Sequence, residues 1–281
     1  MFDVTPLFIL FQYIVPQHLL SRLVGKLAEC RTPWFKNAII KRFIDQYQVN
    51  MEEAAEPDHE CYENFNAFFT RPLREGARDI CEEGIASPAD GAVSQLGDIE
   101  HGRIFQAKGQ SYTSLELLGG DEALAKLFDG GKFATIYLSP KDYHRVHMPI
   151  SGTLRHGIYV PGDLFSVNNA TADNVPRLFS RNERYVAIFD TEFGPMAMVL
   201  VGAMIVAGIE TVWGGQVAPV TRTIQRTDYP SKIDTQALAK GDEMGRFKLG
   251  STVVMLFGKD AVEWAEHLAH ASPLKMGERI A

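Results

Sequence analysis

The chain has 281 residues, of which 46% are hydrophobic and 22% are charged. This is a globular composition, long enough for one large domain or for one domain with an appendage. The net charge of −7 argues against general nucleic-acid binding. The three cysteines show no Cys-x-x-Cys spacing, which argues against a zinc site or a disulfide framework and fits a reducing compartment.

The charge is unevenly distributed. Residues 1–50 contain six Lys or Arg and three acidic residues, so they carry +3 and the remainder carries −10. The most apolar run, PLFILFQYIVP at 6–16, has nine residues between its prolines. A helix that crosses a bilayer needs about 20, so this run is too short. It is also a poor signal peptide, because no Lys or Arg precedes it and no small-residue cleavage site follows it.

Two amphipathic helices are predicted next. Apolar residues recur with helical spacing from Leu19 to Ala28, and after Pro33 the segment 34–47 repeats the pattern among Lys and Arg. One interpretation is a pair of helices packed on their own core. The other is an anchor in the headgroup layer of an anionic membrane, where basic and aromatic residues are favoured. A third helix is predicted at about 61–70.

After residue 85 the pattern changes to short runs rich in Val, Ile, Tyr and Phe, separated by Gly, Pro, Asp and Asn. These runs are FATIYLS (133–139), RYVAIFDT (184–191) and MAMVLVGAMIVAGI (196–209). They predict a mainly antiparallel β domain, and one helical pattern at 114–128 interrupts it. Gly202 and Gly208 favour one or two buried strands with a bend in the last run. The predicted fold class is α+β, with N-terminal helices followed by a β-rich domain with an inserted helix.

Three short motifs carry residues capable of chemistry. They are SPADG at 87–91 with Asp90, PKDYHRVHMP at 140–149 with His144 and His147, and LGST at 249–252 with Ser251. Each is weak alone, since Asp before Gly is a common turn and His-x-x-His lacks further partners at zinc-like spacing. Together they supply Asp, His and Ser, a set in which His accepts a serine proton and Asp orients the imidazole. A secreted protease is disfavoured, because there is no Gly-x-Ser-x-Gly elbow. A serine directly after Leu-Gly has another target, its own preceding carbonyl.

In this order, the three motifs resemble phosphatidylserine decarboxylase of the bacterial, membrane-associated type. The resemblance covers most of the chain, through FNAFFTRPL (65–73), KGQSYTSLELLG (108–119), GDLFSVN (162–168), LFSRNERY (178–185) and KGDEMGRFKLGST (240–252). Any one of these motifs is weak, but the ordered set is specific.

The resemblance implies a proenzyme that cleaves itself between Gly250 and Ser251. The Ser251 hydroxyl attacks the Gly250 carbonyl to give an ester, which β-elimination opens. Hydrolysis with loss of ammonia then leaves a covalent pyruvoyl group derived from Ser251 as the cofactor, with no metal. That ketone would form a Schiff base with the substrate amine and act as an electron sink for the carbanion left by CO2. Asp90 and His147 are implied to activate Ser251, and His144 to act in decarboxylation as protonating acid or carboxylate contact, although the two histidine roles could be exchanged or shared.

The implied substrate is phosphatidylserine and the products are phosphatidylethanolamine and CO2. A lipid substrate favours the anchor interpretation, because extracting two acyl chains at about 0.8 kcal/mol per CH2 would cost tens of kcal/mol. We therefore expect a helical, membrane-associating region at 1–75 and a catalytic domain at 76–281, self-cleaved into 1–250 (β chain) and 251–281 (α chain).

The expected partners are the phospholipid substrate at the membrane surface, an anionic membrane, the heterodimer of cleaved chains and a possible homodimer. The expected location is peripheral, on the cytoplasmic face of the cell inner membrane.

Three alternatives stay open at this point. The chain could be a pyruvoyl decarboxylase of a small soluble amino acid, which would not need the basic, apolar N-terminal helices. It could be a catalytically dead, membrane-bound β domain that scaffolds partners, which would purify as an intact chain. It could also be a serine hydrolase using Asp90, His147 and Ser251 on an external ester, which requires Ser251 to survive as serine.

Overall fold

A computed structural model describes residues 5–205, 208–219, 221–230, 237–249 and 251–281, with Ser251 described by its backbone only. Gly250 lies outside the described residues. The helices are α1 (Thr5–Ile14), α2 (Gln17–Ala28), α3 (Pro33–Tyr47), α4 (Phe65–Phe69), α5 (Ser114–Leu117), α6 (Glu122–Lys126), α7 (Asn169–Asn174) and α8 (Leu178–Arg181), with a 3-10 turn at His59–Cys61.

The helix boundaries follow local sequence signals. Pro16 separates α1 from α2, and Pro33 occupies the first position of α3, where its missing N–H costs nothing. The Asn64 side chain accepts a hydrogen bond from Ala67 N at 2.8 Å and caps α4. The helix predicted at about 61–70 is therefore shorter, because Asn64 fixes where it begins.

The single helix predicted at 114–128 is wrong in extent, since the structure has two short helices there. Gly119 and Gly120 both have positive φ, at 81° and 88°, and end α5 after one turn. Asp121 then caps α6 by accepting a hydrogen bond from Leu124 N at 3.0 Å.

The strands are β1 (Gly91–Asp98), β2 (Arg103–Ala107), β3 (Gln110–Thr113), β4 (Lys132–Leu138), β5 (Arg145–His147), β6 (Gly152–Val160), β7 (Arg184–Thr191), β8 (Gly194–Val201), β9 (Gly208–Thr211), β10 (Gly215–Ala218), β11 (Gln225–Asp228), β12 (Ala237–Leu238), β13 (Glu243–Lys248), β14 (Ser251–Phe257) and β15 (Pro273–Leu274). The run 196–209 therefore forms two strands with a break after Val201, as predicted.

Within the described residues, the largest sheet has nine strands, in the order β11-β6-β7-β8-β14-β4-β1-β15, with β12 also paired to β6. A four-stranded sheet has the order β10-β9-β13-β5, and β2 pairs with β3. Each of these strand pairings is antiparallel. Together with the helices at the N-terminus, this confirms the α+β fold class.

Strand β14 is buried on both of its faces. Val253, Met255 and Phe257 belong to the hydrophobic core shared with the four-stranded sheet. Val254 and Leu256 belong to a second core on the opposite face, which includes residues of β2, α5, α7 and α8. Covering on both faces explains why this segment reads as a continuous apolar run and not as an alternation.

The N-terminal helices bury their small residues. Ser21, Gly25 and Ala28 of α2 face the protein, while Leu19, Leu23 and Leu27 are 50–56% exposed. The helices are therefore not packed around these leucines. Among the described residues, no single helix is long and apolar enough to cross a membrane; α1 and α2 together have the length and composition, but are bent by 90°.

Candidate active site

Asp90 and the backbone of Ser251 lie at the same end of the nine-stranded sheet. Strand β4 lies between β1 and β14 and is antiparallel to both, and its Tyr137 pairs with Ala92 on one side and Thr252 on the other. Asp90 and Ser251 therefore stand just before the same cross-strand row. Adjacent strands are about 4.8 Å apart, so the backbones of β1 and β14 are about 10 Å apart here.

The segment that follows β4 brings both histidines to this end of the sheet. The segment 139–144 leads into β5, where the His147 backbone N–H donates to Pro88 O at 2.8 Å. On the other side of β5, Phe247 N donates to His144 O at 3.1 Å, which ties the histidine segment to β13. The structure thus brings Asp90, His144 and His147 to the start of β14.

Asp90 is buried in a network of cations. Its Oδ1 accepts hydrogen bonds from Arg78 Nε at 3.0 Å and Met276 N at 2.9 Å, and its Oδ2 accepts from Arg78 Nη2 and from Lys275 Nζ at 3.4 Å. Arg78 also donates to Glu53 Oε2 at 2.6 Å. Burial opposes ionisation of Asp90, but the Arg78 and Met276 hydrogen bonds outweigh it and hold its pKa below its ordinary value.

His147 has both ring nitrogens engaged. Its Nδ1 lies 2.7 Å from Gly241 O and its Nε2 lies 2.9 Å from the Tyr143 hydroxyl. Because a carbonyl only accepts, Nδ1 carries the hydrogen, and the Nε2 lone pair accepts from the Tyr143 O–H. Burial lowers the pKa of His147, although the Gly241 hydrogen bond opposes this, so the neutral ring is favoured.

The ring of His147 is therefore oriented by Gly241 and Tyr143, while the hydrogen bonds of Asp90 go to Arg78, Met276 and Lys275. The charge of Asp90 nevertheless opposes the lowering of both histidine pKa values, although burial dominates in each case. The action of Asp90 at this site is electrostatic in the described state.

His144 is completely buried and holds an unused acceptor. Its Nδ1 donates to Asp142 O at 2.8 Å, and its ring lies 4.0 Å from the ring of Phe69. Its Nε2 has no hydrogen-bond partner among the described residues. Burial lowers the pKa of His144 to about 3; the Asp142 hydrogen bond opposes this and the charge of Arg71 adds to it. His144 therefore presents a lone pair at neutral pH.

The backbone is unfavourable just before the predicted cleavage site. Leu249 has φ of 78°, in the left-handed region that residues with a side chain rarely adopt. Leu249 is 93% buried. It packs in the cluster formed by α2, α3, Tyr62 and the α4 residues Phe65, Phe68 and Phe69. Gly250 itself lies outside the described residues.

Two family models match the chain. The model described as phosphatidylserine decarboxylase matches residues 65–281, and a model described as PSD matches residues 7–48. The chain belongs to the phosphatidylserine decarboxylase family.

Curated relatives cover nearly the whole chain. A phosphatidylserine decarboxylase proenzyme of Pseudomonas fluorescens is 64% identical over 277 residues, covering 98% of this chain and 96% of the relative. Proenzymes of the same name from Pseudomonas entomophila and Stutzerimonas stutzeri are 63% and 61% identical, over 98% of this chain and 97% and 93% of the relatives. These matches confirm the family and the enzyme class, a decarboxylase, that the sequence predicted.

A small, mainly apolar cavity opens beside the predicted cleavage site. It has a volume of about 160 Å3 and lies between α3, the end of β4 and the loop after β8. Phe43, Tyr47, Phe69, Tyr137 and Leu249 are among its lining residues. Because Tyr137 and Leu138 pair with Thr252 and Ser251, this cavity lies next to the start of β14.

Sequence reasoning missed three partners of the predicted site residues. Tyr143 lies within the histidine motif but was not singled out, although a phenol four residues before His147 was a usable signal. Arg78 and Lys275 carry no motif, and only the fold brings them to Asp90. The roles predicted for Asp90, His144, His147, Gly250 and Ser251 stay predictions, and the side chain of Ser251 lies outside the description.

Proposed function

We propose that this chain is a proenzyme that cleaves itself between Gly250 and Ser251 and then converts phosphatidylserine to phosphatidylethanolamine and CO2. The observation that carries the proposal is the meeting of Asp90, His144 and His147 at the start of β14, in a chain whose near full-length relatives are named proenzymes.

Self-cleavage begins with the Ser251 hydroxyl, which attacks the Gly250 carbonyl while His147 serves as the base. The peptide C–N bond is exchanged for an ester, which β-elimination then opens, and hydrolysis releases ammonia. The left-handed backbone at Leu249 supports this proposal. Such a conformation costs on the order of 1 kcal/mol or more, and breaking the chain one residue later allows it to relax.

The position of β14 supports a heterodimer that survives cleavage. This strand is hydrogen-bonded to β4 on one side and to β8 on the other, and each residue from Thr252 to Phe257 is fully buried. The fragment 251–281 is therefore held by a complete set of sheet contacts without the covalent link. The same pairing fixes the new N-terminus beside the cavity.

The pyruvoyl group derived from Ser251 would supply an electron sink for the carbanion that forms when CO2 leaves. His144 fits a site for an amine substrate, because its unpartnered Nε2 lone pair can accept a hydrogen bond from the substrate ammonium. The same lone pair would repel a carboxylate, so the contact with the carboxylate is the less favoured of the two predicted roles. Protonation of the carbon that lost CO2, through His144, and hydrolysis by water would then release the amine product.

Exposed apolar residues on α1–α3 support an anionic membrane surface as a partner. Leu7, Ile14 and Trp34 are 70–75% exposed, and α2 presents Leu23 beside the basic residues Arg22 and Lys26. A helix of this kind lies in the headgroup layer, where anionic lipids attract its Lys and Arg. We therefore propose a peripheral location on the cytoplasmic face of the inner membrane. A homodimer stays an expectation from the resemblance.

The first experiment is intact-mass analysis of the purified protein under denaturing conditions. We expect fragments 1–250 and 251–281, the second lighter by one ammonia than its serine-started form. Ser251→Ala should give one intact chain. An intact wild-type chain would instead favour the scaffold alternative, and labelling of Ser251 by a serine-reactive phosphonate would favour the hydrolase.

Release of CO2 from carboxyl-labelled phosphatidylserine in mixed micelles tests the second half of the proposal. We expect release by the cleaved wild type and none by Ser251→Ala. Equal release from free labelled serine would favour the soluble amino-acid alternative. His144→Ala separates the two steps, since it should still cleave itself while losing CO2 release.

A further inference from the structure

The hydrogen bond between Tyr143 and His147 bears on how the first proton moves. The Tyr143 hydroxyl lies 2.9 Å from His147 Nε2, and Nδ1 of the same ring donates to Gly241 O at 2.7 Å. The direction is fixed, because Nδ1 must carry the hydrogen and Nε2 must accept from the phenol.

A neutral imidazole has one lone pair in the ring plane, and in the described state Tyr143 occupies it. The base assigned to self-cleavage therefore has no second site at which to accept the Ser251 proton directly. The phenol oxygen, in contrast, donates its hydrogen to His147 and retains acceptor capacity. A proton can thus reach His147 through the oxygen of Tyr143.

The strand register places Tyr143 on the side of His147 from which the cleavage site approaches. In the β5–β13 ladder, Glu243 pairs with His147 and Arg246 pairs with Arg145. Phe247 N then donates to His144 O. Strand β13 therefore runs past His147 first and past the Tyr143–His144 segment last, before the chain reaches Leu249.

We propose that Tyr143 relays the proton from the Ser251 hydroxyl to His147 during self-cleavage. The inference rests on the function proposed above. The Ser251 O–H bond breaks as its oxygen bonds to the Gly250 carbonyl carbon. Tyr143 receives that proton and gives its own to His147 Nε2. The imidazolium then protonates the departing amide nitrogen through the same oxygen, so Tyr143 and His147 return to their starting states.

The surroundings of Tyr143 suit a neutral relay. The side chain is 95% buried, and burial raises its pKa, so the phenol keeps its hydrogen at neutral pH. The charged groups acting on the pair are Arg145, Glu243 and Asp90, together with Arg246 for Tyr143. The two carboxylates favour the transient imidazolium, while the arginines oppose it.

The test compares Tyr143→Phe with wild type during cell-free synthesis of the full chain, following the 251–281 fragment by mass spectrometry. Loss of the hydroxyl should slow self-cleavage by about 100-fold or more, the usual contribution of a positioned proton-transfer group. Tyr185→Phe is the matched control, since Tyr185 is equally buried and its hydroxyl accepts a hydrogen bond from Trp213 Nε1 at 3.2 Å. This variant should cleave as fast as wild type.

The pH profile separates a relay from a structural hydrogen bond. Wild type should cleave at a rate that is level across neutral pH, because His147 is already neutral there. In Tyr143→Phe the residual rate should rise with pH, as hydroxide replaces the relay. A wild-type rate, or a faster one, in Tyr143→Phe would overturn the relay. A faster rate would show that the phenol competes with the Ser251 hydroxyl for His147 Nε2.

Two further outcomes bear on different claims. If wild type itself stays intact, the proposed function fails and not merely the relay. If Tyr143→Phe does not fold, 3-fluorotyrosine placed at 143 keeps the hydroxyl and changes only its acidity. The relay then requires a changed cleavage rate, and an unchanged rate would refute it.

Discussion

Two apolar runs of this chain lie in opposite environments. The run at 6–15 forms α1 and leaves Leu7, Leu10, Phe11 and Ile14 at least half exposed, whereas the run Val253–Phe257 in β14 is fully buried. Hydrophobicity alone does not separate them. What separates them is the number of covered faces: β14 has a core on each side, while α1 has the protein on one side only. The exposed run is apolar surface, and the buried run holds the segment that follows the predicted cleavage site.

The two regions should respond most differently when the same charge is placed in each. Val254→Asp puts a carboxylate in the centre of the nine-stranded sheet, where Val254 is 0% exposed. An unpaired buried charge costs more than about 4 kcal/mol, a large part of the stability of a typical domain. We expect no soluble folded protein and no self-cleavage, as judged by soluble yield and intact mass.

Leu23→Asp in α2 is the matched substitution, because Leu23 is 53% exposed. It should fold and cleave itself normally. If both aspartates were tolerated, or neither, the contrast between the two regions would be lost.

The next largest effect is expected at the Asp90 network. Arg78→Ala leaves Asp90 buried without its two arginine hydrogen bonds, and breaking a buried pair typically costs about 3–5 kcal/mol. Arg31→Ala is the control, since the Arg31–Glu63 pair is exposed and such pairs contribute about 0–1 kcal/mol. Urea unfolding of both variants in a Ser251→Ala background measures the difference. Equal losses would show that Lys275 and Met276 N suffice for Asp90.

The Asp90 network should also make the stability of the protein depend on pH under acidic conditions. The folded pKa of Asp90 is lowered, so its stabilising contribution is complete above the ordinary value of about 3.9 and is lost as the pH falls further. Arg78→Ala should weaken the dependence of the unfolding free energy on pH in this acid range.

The elements with a strong repeating pattern were predictable from the sequence. The stripe at 19–28 and the runs at 133–139 and 184–191 became α2, β4 and β7 because periodicity and β-branched content report local structure directly. The single helix predicted at 114–128 was wrong in extent, because two glycines with positive φ interrupt the helical pattern. Which face of α2 is buried was not predictable, since it is set by Ser21, Gly25 and Ala28 fitting against the body.

The candidate site was predictable where its residues lie in motifs. Asp90, His144, His147 and Ser251 follow from the ordered set, and the fold brings the first three to the start of β14. Arg78 and Lys275 were not predictable, because they lie 12 and 185 residues from Asp90 in the chain and meet it only in the folded protein. Tyr143 was visible in the sequence, but its bond to His147 depends on the turn that precedes β5.

A smaller effect on stability is expected from the neutral His144. Its folded pKa is lowered to about 3, so its stabilising contribution is complete above the ordinary value near 6.5 and is lost as the pH falls below it. The unfolded chain takes up a proton there and the folded chain does not. In a Ser251→Ala background, His144→Gln should reduce the pH slope of the unfolding free energy by up to about 1.4 kcal/mol per pH unit between about pH 5 and 6.5.

The charges that act on His144, Arg71 and Asp90, are unchanged in that variant. His267→Gln is the control for the substitution itself, because His267 is exposed. An identical slope in His144→Gln and the parent would mean that His144 is not neutral in the folded chain.

The smallest effect on stability, and the most specific one on location, is expected for the double variant Leu23→Glu with Leu27→Glu. Both leucines are more than half exposed, so the free energy of unfolding should change by no more than about 0.5 kcal/mol. Binding to vesicles containing phosphatidylglycerol should fall at least tenfold, because each leucine withheld from the lipid forfeits about 1.5–3 kcal/mol and each new carboxylate is repelled by an anionic surface. Flotation measures binding, and Glu63→Gln, on the exposed Arg31–Glu63 pair, serves as a surface control. Unchanged flotation of the double variant would place the membrane-facing surface elsewhere and leave the outward leucines of α2 unexplained.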